Sequence, residues 1–246
     1  MELSVALLVP LLGTTLGAAG AFFLKRRDER LEKLLLGFAA GVMVAASVWS
    51  LLLPAIDGAA DYGRWAFLPA AVGLFAGFFL LMLLDRRLPE PELIPGGSRT
   101  GMLTLAVTLH NIPEGMAVGA AFAGVFAGSV PLAAAVALTL GIAIQNIPEG
   151  SIISMPLAGS GMGKGRAFLW GAASGAVEPL GAAGMMVLTA LLLPLLPYCL
   201  AFAAGAMLYV VAEQLLPEVG NRRSTSGMAA FAAGFLVMMI LDVVLG

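Results

Sequence analysis

The chain has one cysteine and one histidine in 246 residues, and only 11% of it is charged. A single cysteine, Cys199, excludes an internal disulfide, a CxxC redox pair and a thiolate metal cage. Its plain reading is a small buried hydrophobe. A single histidine, His110, excludes the HExxH metalloprotease arrangement, which needs two. There is no basic patch, so nucleic acid is not a partner. Short segments alternating polar and apolar are missing, and with them the case for an outer-membrane barrel. No positive stretch precedes the first apolar run. Met1-Glu2 opens the chain and the basic cluster follows that run, so it reads as a retained span, not a signal peptide. What is present in excess is apolar: 60% of the residues are hydrophobic. The fold class this implies is an all-α integral membrane protein surrounded by the lipid bilayer.

A membrane helix needs about 20 apolar residues. Eight stretches qualify: roughly 3–24, 34–56, 65–84, 100–125, 131–158, 166–191, 195–216 and 226–245. Together they make one transmembrane domain over 1–246. The longest polar connection, 85–99, contains Pro89, Pro91, Pro95 and Gly96-Gly97 and reads as irregular. Of thirteen Lys and Arg residues, all but Arg64 fall after the odd-numbered spans. By the positive-inside rule both termini are then periplasmic and loop 85–99 is cytoplasmic. Glycines recur four apart at Gly13/Gly17, Gly37/Gly41, Gly73/Gly77, Gly115/Gly119 and Gly171/Gly175. Such pairs let helix backbones approach closely, and the simplest expectation is packing inside the protein.

Two copies of one motif interrupt the apolar runs: His110-Asn111-Ile112-Pro113-Glu114-Gly115 and Gln145-Asn146-Ile147-Pro148-Glu149-Gly150. An ionisable group at the bilayer centre costs several kcal/mol unless something stabilises it. On a helix, His110 and Asn111 share a face with Glu114, and Gln145 shares one with Glu149. Each proline withdraws an amide hydrogen and so frees a carbonyl one turn back, that of Leu109 or Ile144. Glu178, in Val177-Glu178-Pro179, is a third acid inside a span. No Lys or Arg lies mid-membrane to pair with these acids, so their counter-charge must be a proton or a cation. Carboxylate and amide oxygens suit hard or borderline divalent ions, and one imidazole pulls toward transition metals.

Other polar residues are less decisive. Asp57 and Asp242, near the outer ends of the second and eighth spans, either collect cations at an entrance or are ordinary helix-end residues. Ser50 either lines the path above the site or bonds back to its own helix. Glu213 and Gln214 lie toward the cytoplasmic end of the seventh span. Ser174 paired with His110 would be a serine nucleophile, but that reading leaves the repeated acids unexplained, and the chain is not expected to be an enzyme. A cation channel would use the same ligands and differs from a carrier by flux that does not saturate at low concentration.

At these residues the chain resembles the ZIP (Zrt/Irt-like) family of divalent metal transporters, in its bacterial GufA-like branch. The likeness extends to Leu36–Gly41, Ser174–Gly181 and Ala203–Pro217. The resemblance implies eight transmembrane helices in a 3+2+3 inverted-repeat arrangement, with a binuclear site between the fourth and fifth. One metal would be held by His110, Glu114, Gln145 and Glu149. The second would be held by Asn111, Glu114, Asn146, Glu149 and Glu178, both Glu114 and Glu149 bridging. It further implies a homodimer in the cytoplasmic (inner) membrane that carries metal into the cytoplasm by sliding a helix bundle past a scaffold. The cargo would be zinc, with cadmium, iron, manganese, cobalt and nickel as further candidates, and no catalytic cofactor. Glu213-Gln214 stands where some relatives offer a His-Glu exit site.

Overall fold

The computed structural model describes residues 3–23, 29–87, 98–191, 193–219 and 225–245, and those residues contain helices and turns but no strand. The helices are α1 (Leu3–Ala18), α2 (Gly20–Phe23), α3 (Glu29–Ala46), α4 (Leu53–Asp57), α5 (Phe67–Arg87), α6 (Ser98–Phe126), α7 (Leu132–Gly159), α8 (Lys164–Ser174), α9 (Val177–Leu191), α10 (Leu196–Val210), α11 (Leu216–Val219) and α12 (Ser226–Leu245). Most of the polar connection 85–99 and the basic residues Lys25–Arg27, Arg222 and Arg223 lie outside the described residues.

Six segments among the described residues are long and apolar enough to cross a membrane: Ala6–Phe23, Lys33–Asp57, Phe67–Arg87, Leu132–Gly159, Leu196–Glu213 and Ser226–Val244. The fourth and sixth of the eight expected spans are not among them. α6 is 29 residues long and carries the polar motif. The stretch expected as one span over 166–191 is two helices, broken at Gly175–Ala176. Pro179 accounts for the break. It cannot donate to the carbonyl four residues back, but it fits the first turn of a helix, where that donor has no partner anyway. α9 therefore starts afresh at Val177 and puts Glu178 in its first turn, where a carboxylate is favoured by the helix dipole.

Two other prolines leave a different mark. Before Pro54 the helix widens into a π-turn over Ser47–Leu52, and the Leu53 amide reaches back five residues to Val48 O. Before Pro217 the same happens over Val211–Leu215, with Leu216 N donating to Val211 O. The wider turn re-pairs backbone groups that the proline would otherwise strand in a medium without water. Pro113 and Pro148, by contrast, lie inside α6 and α7, which run through them as single helices.

Glycines decide which helices meet. A Cβ on Gly13 or Gly17 of α1 would collide with the carbonyl oxygens of Ala143 and Ile147 on α7. One on Gly115 or Gly119 of α6 would meet those of Glu178 and Ala182 on α9. Gly37 and Gly41 of α3 press on Gly227 and Phe231 of α12, and Gly73 and Gly77 of α5 on Tyr198 and Phe202 of α10. Gly171 and Gly175 receive Ala18 and Thr14 of α1. All five glycine pairs thus serve packing within the chain. α1, α6, α7, α8 and α9 pack mutually, while α3, α5, α10 and α12 pair around the π-turns, with α3 and α10 also touching α7 and α6.

The two ends of the bundle are distinct. At one, Lys164 Nζ donates to Phe22 O at 2.9 Å, joining the start of α8 to the end of α2. At the other, Pro54, Gly58, Asp61, Tyr62, Ser129 and Pro197 line a cavity of about 400 Å³ between three connections.

Candidate metal centre

Three helices carry the buried acids. Asn111, Glu114 and Gln145 are fully buried, as is Asn146, and Glu149 and Glu178 are within 2% of it. Gln145 Nε2 on α7 donates to Glu114 Oε1 on α6 at 2.6 Å, which ties the two motif copies to each other. Asn111 Nδ2 donates to Ser174 O at 2.9 Å. That carbonyl ends α8, where a helix has no amide of its own to offer, so the break before Pro179 creates the acceptor that turns Asn111. Asn146 Nδ2 donates to Pro10 O on α1 at 3.2 Å. Thr14, also on α1, donates from Oγ1 to Glu178 Oε1 at 2.9 Å. Glu114 lies within electrostatic reach of both Glu149 and Glu178.

The consequence is in the oxygens. Each amide spends its NH2 on a fixed acceptor and is left with a bare carbonyl. Asn111 Oδ1, Gln145 Oε1 and Asn146 Oδ1 are buried without a hydrogen-bond partner among the described residues, and so are Glu114 Oε2, Glu149 Oε2 and Glu178 Oε2. Folded proteins pair about nine in ten such groups, and each orphan costs about 1–3 kcal/mol. Six on neighbouring helices form a donor-rich, hydrogen-poor interior of the kind that favours a divalent cation. No three Asp, Glu, His or Cys side chains among the described residues form a cage by themselves, so an ion held here would depend on the amide oxygens as well. Six of the seven predicted ligands are buried on α6, α7 and α9 in this way. The seventh, His110, lies on α6, but its side chain falls outside the described residues.

The outlying candidates divide. Ser50 Oγ donates to Asp242 Oδ1 at 2.7 Å, joining the first π-turn to α12. Asp242 is 8% exposed and its Oδ2 is unpartnered among the described residues, so it is not an ordinary helix-end residue, and Ser50 does not bond back to its own helix. Ser47 does, to Met43 O. Asp57 and Glu213 are exposed, unlike the acids on α6, α7 and α9, and the side chain of Gln214 lies outside the described residues. The acid that lines the cavity at that end is Asp61, not Asp57. Ser174 Oγ bonds Gly171 O within its own helix, which disposes of it as a nucleophile. Two residues escaped sequence reading. Thr14 carried a signal, its place between Gly13 and Gly17, since a side chain between close-approach glycines must face a neighbouring helix. Ser154, buried on α7 with its hydroxyl unpartnered among the described residues, carried none.

Comparison with known proteins decides the lineage. Residues 89–242 match the family model described as ZIP zinc transporter. The chain is 38% identical to the zinc transporter ZIP11 of Xenopus tropicalis over 95% of its own length and 94% of the relative's. The chain belongs to the ZIP family. It is also 38% identical to the zinc transporter ZIPB of Bordetella bronchiseptica, over 95% of this chain and 78% of that one. With the zinc transporter GufA of Myxococcus xanthus it shares 34% identity over 98% of both. These bacterial relatives support a GufA-like placement among ZIP proteins, a family of transporters and not of enzymes.

Proposed function

We propose that this ZIP protein is a carrier that moves divalent transition-metal cations, zinc foremost, across the bacterial cytoplasmic membrane into the cytoplasm. The observation that carries the reading is the set of six unpartnered oxygens on Asn111, Glu114, Gln145, Asn146, Glu149 and Glu178. Three carboxyl groups without a Lys or Arg among their ligands need positive charge, and the cargo supplies it. Two metals are held between α6 and α7: one by His110, Glu114, Gln145 and Glu149, the other by Asn111, Glu114, Asn146, Glu149 and Glu178. Glu114 and Glu149 bridge them. Oxygen-rich, weakly donating ligands also let an ion leave, which a structural zinc cage would not. Cadmium, iron, manganese, cobalt and nickel are further candidates, because oxygen ligands with a single imidazole do not select zinc strictly.

The eight spans are α1–α2, α3–α4, α5, α6, α7, α8–α9, α10–α11 and α12. Their pairing supports a 3+2+3 inverted repeat. If α1, α3, α5 and α6 correspond to α9, α10, α12 and α7, the contact of α1 with α7 becomes that of α9 with α6, and α3 with α12 becomes α10 with α5. The matched π-turns of α3 and α10 fit the same operation. α1 and α6–α9 form the group that slides with its metal, against a scaffold of α3, α5, α10 and α12, which also forms the homodimer contact. Both termini and the cavity beside Asp61 face the periplasm; Asp242 and Ser50 lie on the entrance side and Glu213 and Gln214 near the exit.

Reconstitution into liposomes holding a zinc-sensitive dye tests the reading. Saturable uptake is expected, and Glu178→Ala should reduce it and remove one of two zinc ions per chain. Two divalent ions bring +4 against three carboxylates, so the second ion is already under-compensated and leaves first. Flux linear in zinc would point to a channel, and wild-type stoichiometry in Glu178→Ala would refute the assignment of Glu178.

A further inference from the structure

The cargo-facing carboxylates are not held alike. Gln145 on α7 supports Glu114 on α6, so the support and the acid sit on the two motif helices themselves. Glu178 is supported from outside them, by the hydroxyl of Thr14 on α1 at 2.9 Å. Thr14 is fully buried and wedged from two sides. A Cβ on Gly150 of α7 would strike its carbonyl oxygen, and one on Gly175, at the break before α9, would strike its side chain. Its hydroxyl has one proton and two acceptors in range. Glu178 Oε1 is 2.9 Å away and Pro10 O 3.4 Å. The shorter bond, to a carboxyl group, is the one that uses the proton. Pro10 O is then left to Asn146 Nδ2. One turn of α1 thus orients two side chains, Asn146 and Glu178, and leaves Asn146 Oδ1 and Glu178 Oε2 unpartnered among the described residues.

We infer that Thr14 is a positioning residue for metal binding: by donating to Glu178 Oε1 it turns Oε2 toward the cargo and sets the affinity of the second metal position without touching the metal. The inference rests on the two-metal reading above. Thr14 donates the short bond to Glu178, with the amide of Asn146 close enough to assist, and Oε1 is fixed by a group that neither motif copy contains. The affinity of the second position is therefore under the control of α1, while the first depends on the α6–α7 pair.

The test uses the full chain in lipid nanodiscs and Zn2+ itself, with binding measured by equilibrium dialysis and uptake in liposomes. Valine matches threonine in shape and lacks the donor. Thr14→Val should keep one zinc at wild-type affinity and bind the second about tenfold more weakly, the worth of one hydrogen bond to a charged group. KM for uptake should rise more than Vmax falls. Thr14→Ser restores the donor and should restore binding. In a Glu178→Ala background, Thr14→Val should change nothing further. Wild-type binding by Thr14→Val overturns the proposal, as does a Thr14→Ser protein as weak as Thr14→Val, since both would make the contact mere packing. Should Thr14→Val fail to fold, Thr14→Ala against Thr14→Ser makes the same comparison. A Glu178→Ala protein that still binds two zinc ions defeats the parent reading and this one with it. One that loses a zinc while Thr14→Val does not defeats this one alone.

Discussion

Helices α1 and α6–α9 are knit together by glycines seated on carbonyl oxygens, and so are α3, α5, α10 and α12. What they enclose differs. The first group buries Thr14, Asn111, Glu114, Gln145, Asn146, Glu149, Ser154 and Glu178; the second contributes chiefly alanine, leucine and methionine, with Ser47, Ser50 and Asp242 as its polar exceptions. Between helices in lipid there is no hydrophobic drive, because the lipid is as apolar as the side chains. Close backbone approach is therefore the device that both groups share. Function is added to one of them by exchanging apolar residues for oxygens, at a cost that a proton or a cation must offset. The same division explains the prolines. Pro54 and Pro217 are absorbed by the π-turns that follow α3 and α10, whereas Pro179 in the first turn of α9 breaks the helix and creates the acceptor for Asn111.

The largest effect should come from Glu114 and Glu149, the acids proposed to bridge two metals. Glu114→Ala or Glu149→Ala should reduce zinc uptake to background while the protein remains folded, because a buried carboxylate is being removed from an environment it destabilises without metal. Uptake assays on purified variants checked by thermal melting would measure this. Near-normal transport by either variant would break the contrast between the two groups at its root.

A smaller effect separates packing from chemistry. Gly17→Ala and Gly77→Ala each place a methyl group against a carbonyl oxygen, of Ile147 and Phe202 respectively. Both should lower stability, by about 1–3 kcal/mol as overpacking does. Only Gly17→Ala should also weaken zinc binding, since α1 and α7 carry Pro10, Thr14, Gln145, Asn146 and Glu149. Equal losses of zinc affinity would mean that the two groups are one mechanical body.

Next in size is the imidazole. His110→Ala should weaken uptake without abolishing it, because oxygen ligands remain, and should harm zinc more than manganese, which depends less on nitrogen. Competition assays with the two metals measure the ratio. Equal losses would argue that His110 is not a ligand.

Much of this architecture was legible in the chain. The five glycine pairs pointed to packing inside the chain, because a small residue every fourth position lets helix backbones approach. The repeated Asn-Ile-Pro-Glu-Gly pointed to the helices that bury these acids, because acids in an apolar run need a reason. Two things were hidden. One was the effect of each proline: Pro54, Pro113, Pro148, Pro179 and Pro217 all interrupt the same ladder, but whether the helix widens, continues or breaks depends on what surrounds it. The other was the partnering of buried polar groups. Asn111 finds a carbonyl 63 residues away and Thr14 a carboxyl group 164 residues away, and no local pattern encodes such distances. Asp242 was left open between two readings for the same reason, since its partner Ser50 lies 192 residues away.

That last pair gives the smallest expected effect and the finest test of the comparison. Ser50 and Asp242 form a buried polar pair in the mostly apolar group, and they lie on the side of the first π-turn. If they merely satisfy each other, Ser50→Ala strands a buried carboxyl oxygen and lowers stability by about 1–3 kcal/mol, leaving transport unchanged once folding is accounted for. If Asp242 meets the incoming cation, the same substitution frees Oδ1 beside the already unpartnered Oδ2. KM for zinc then shifts by a small factor while Vmax and the bound-zinc stoichiometry are preserved, because Glu114 and Glu149 are untouched. The entrance reading predicts the second outcome, and Asp242→Asn should shift KM further in the same experiment. A Ser50→Ala protein that only melts earlier would return the pair to a structural role and leave the polar path wholly to α1 and α6–α9.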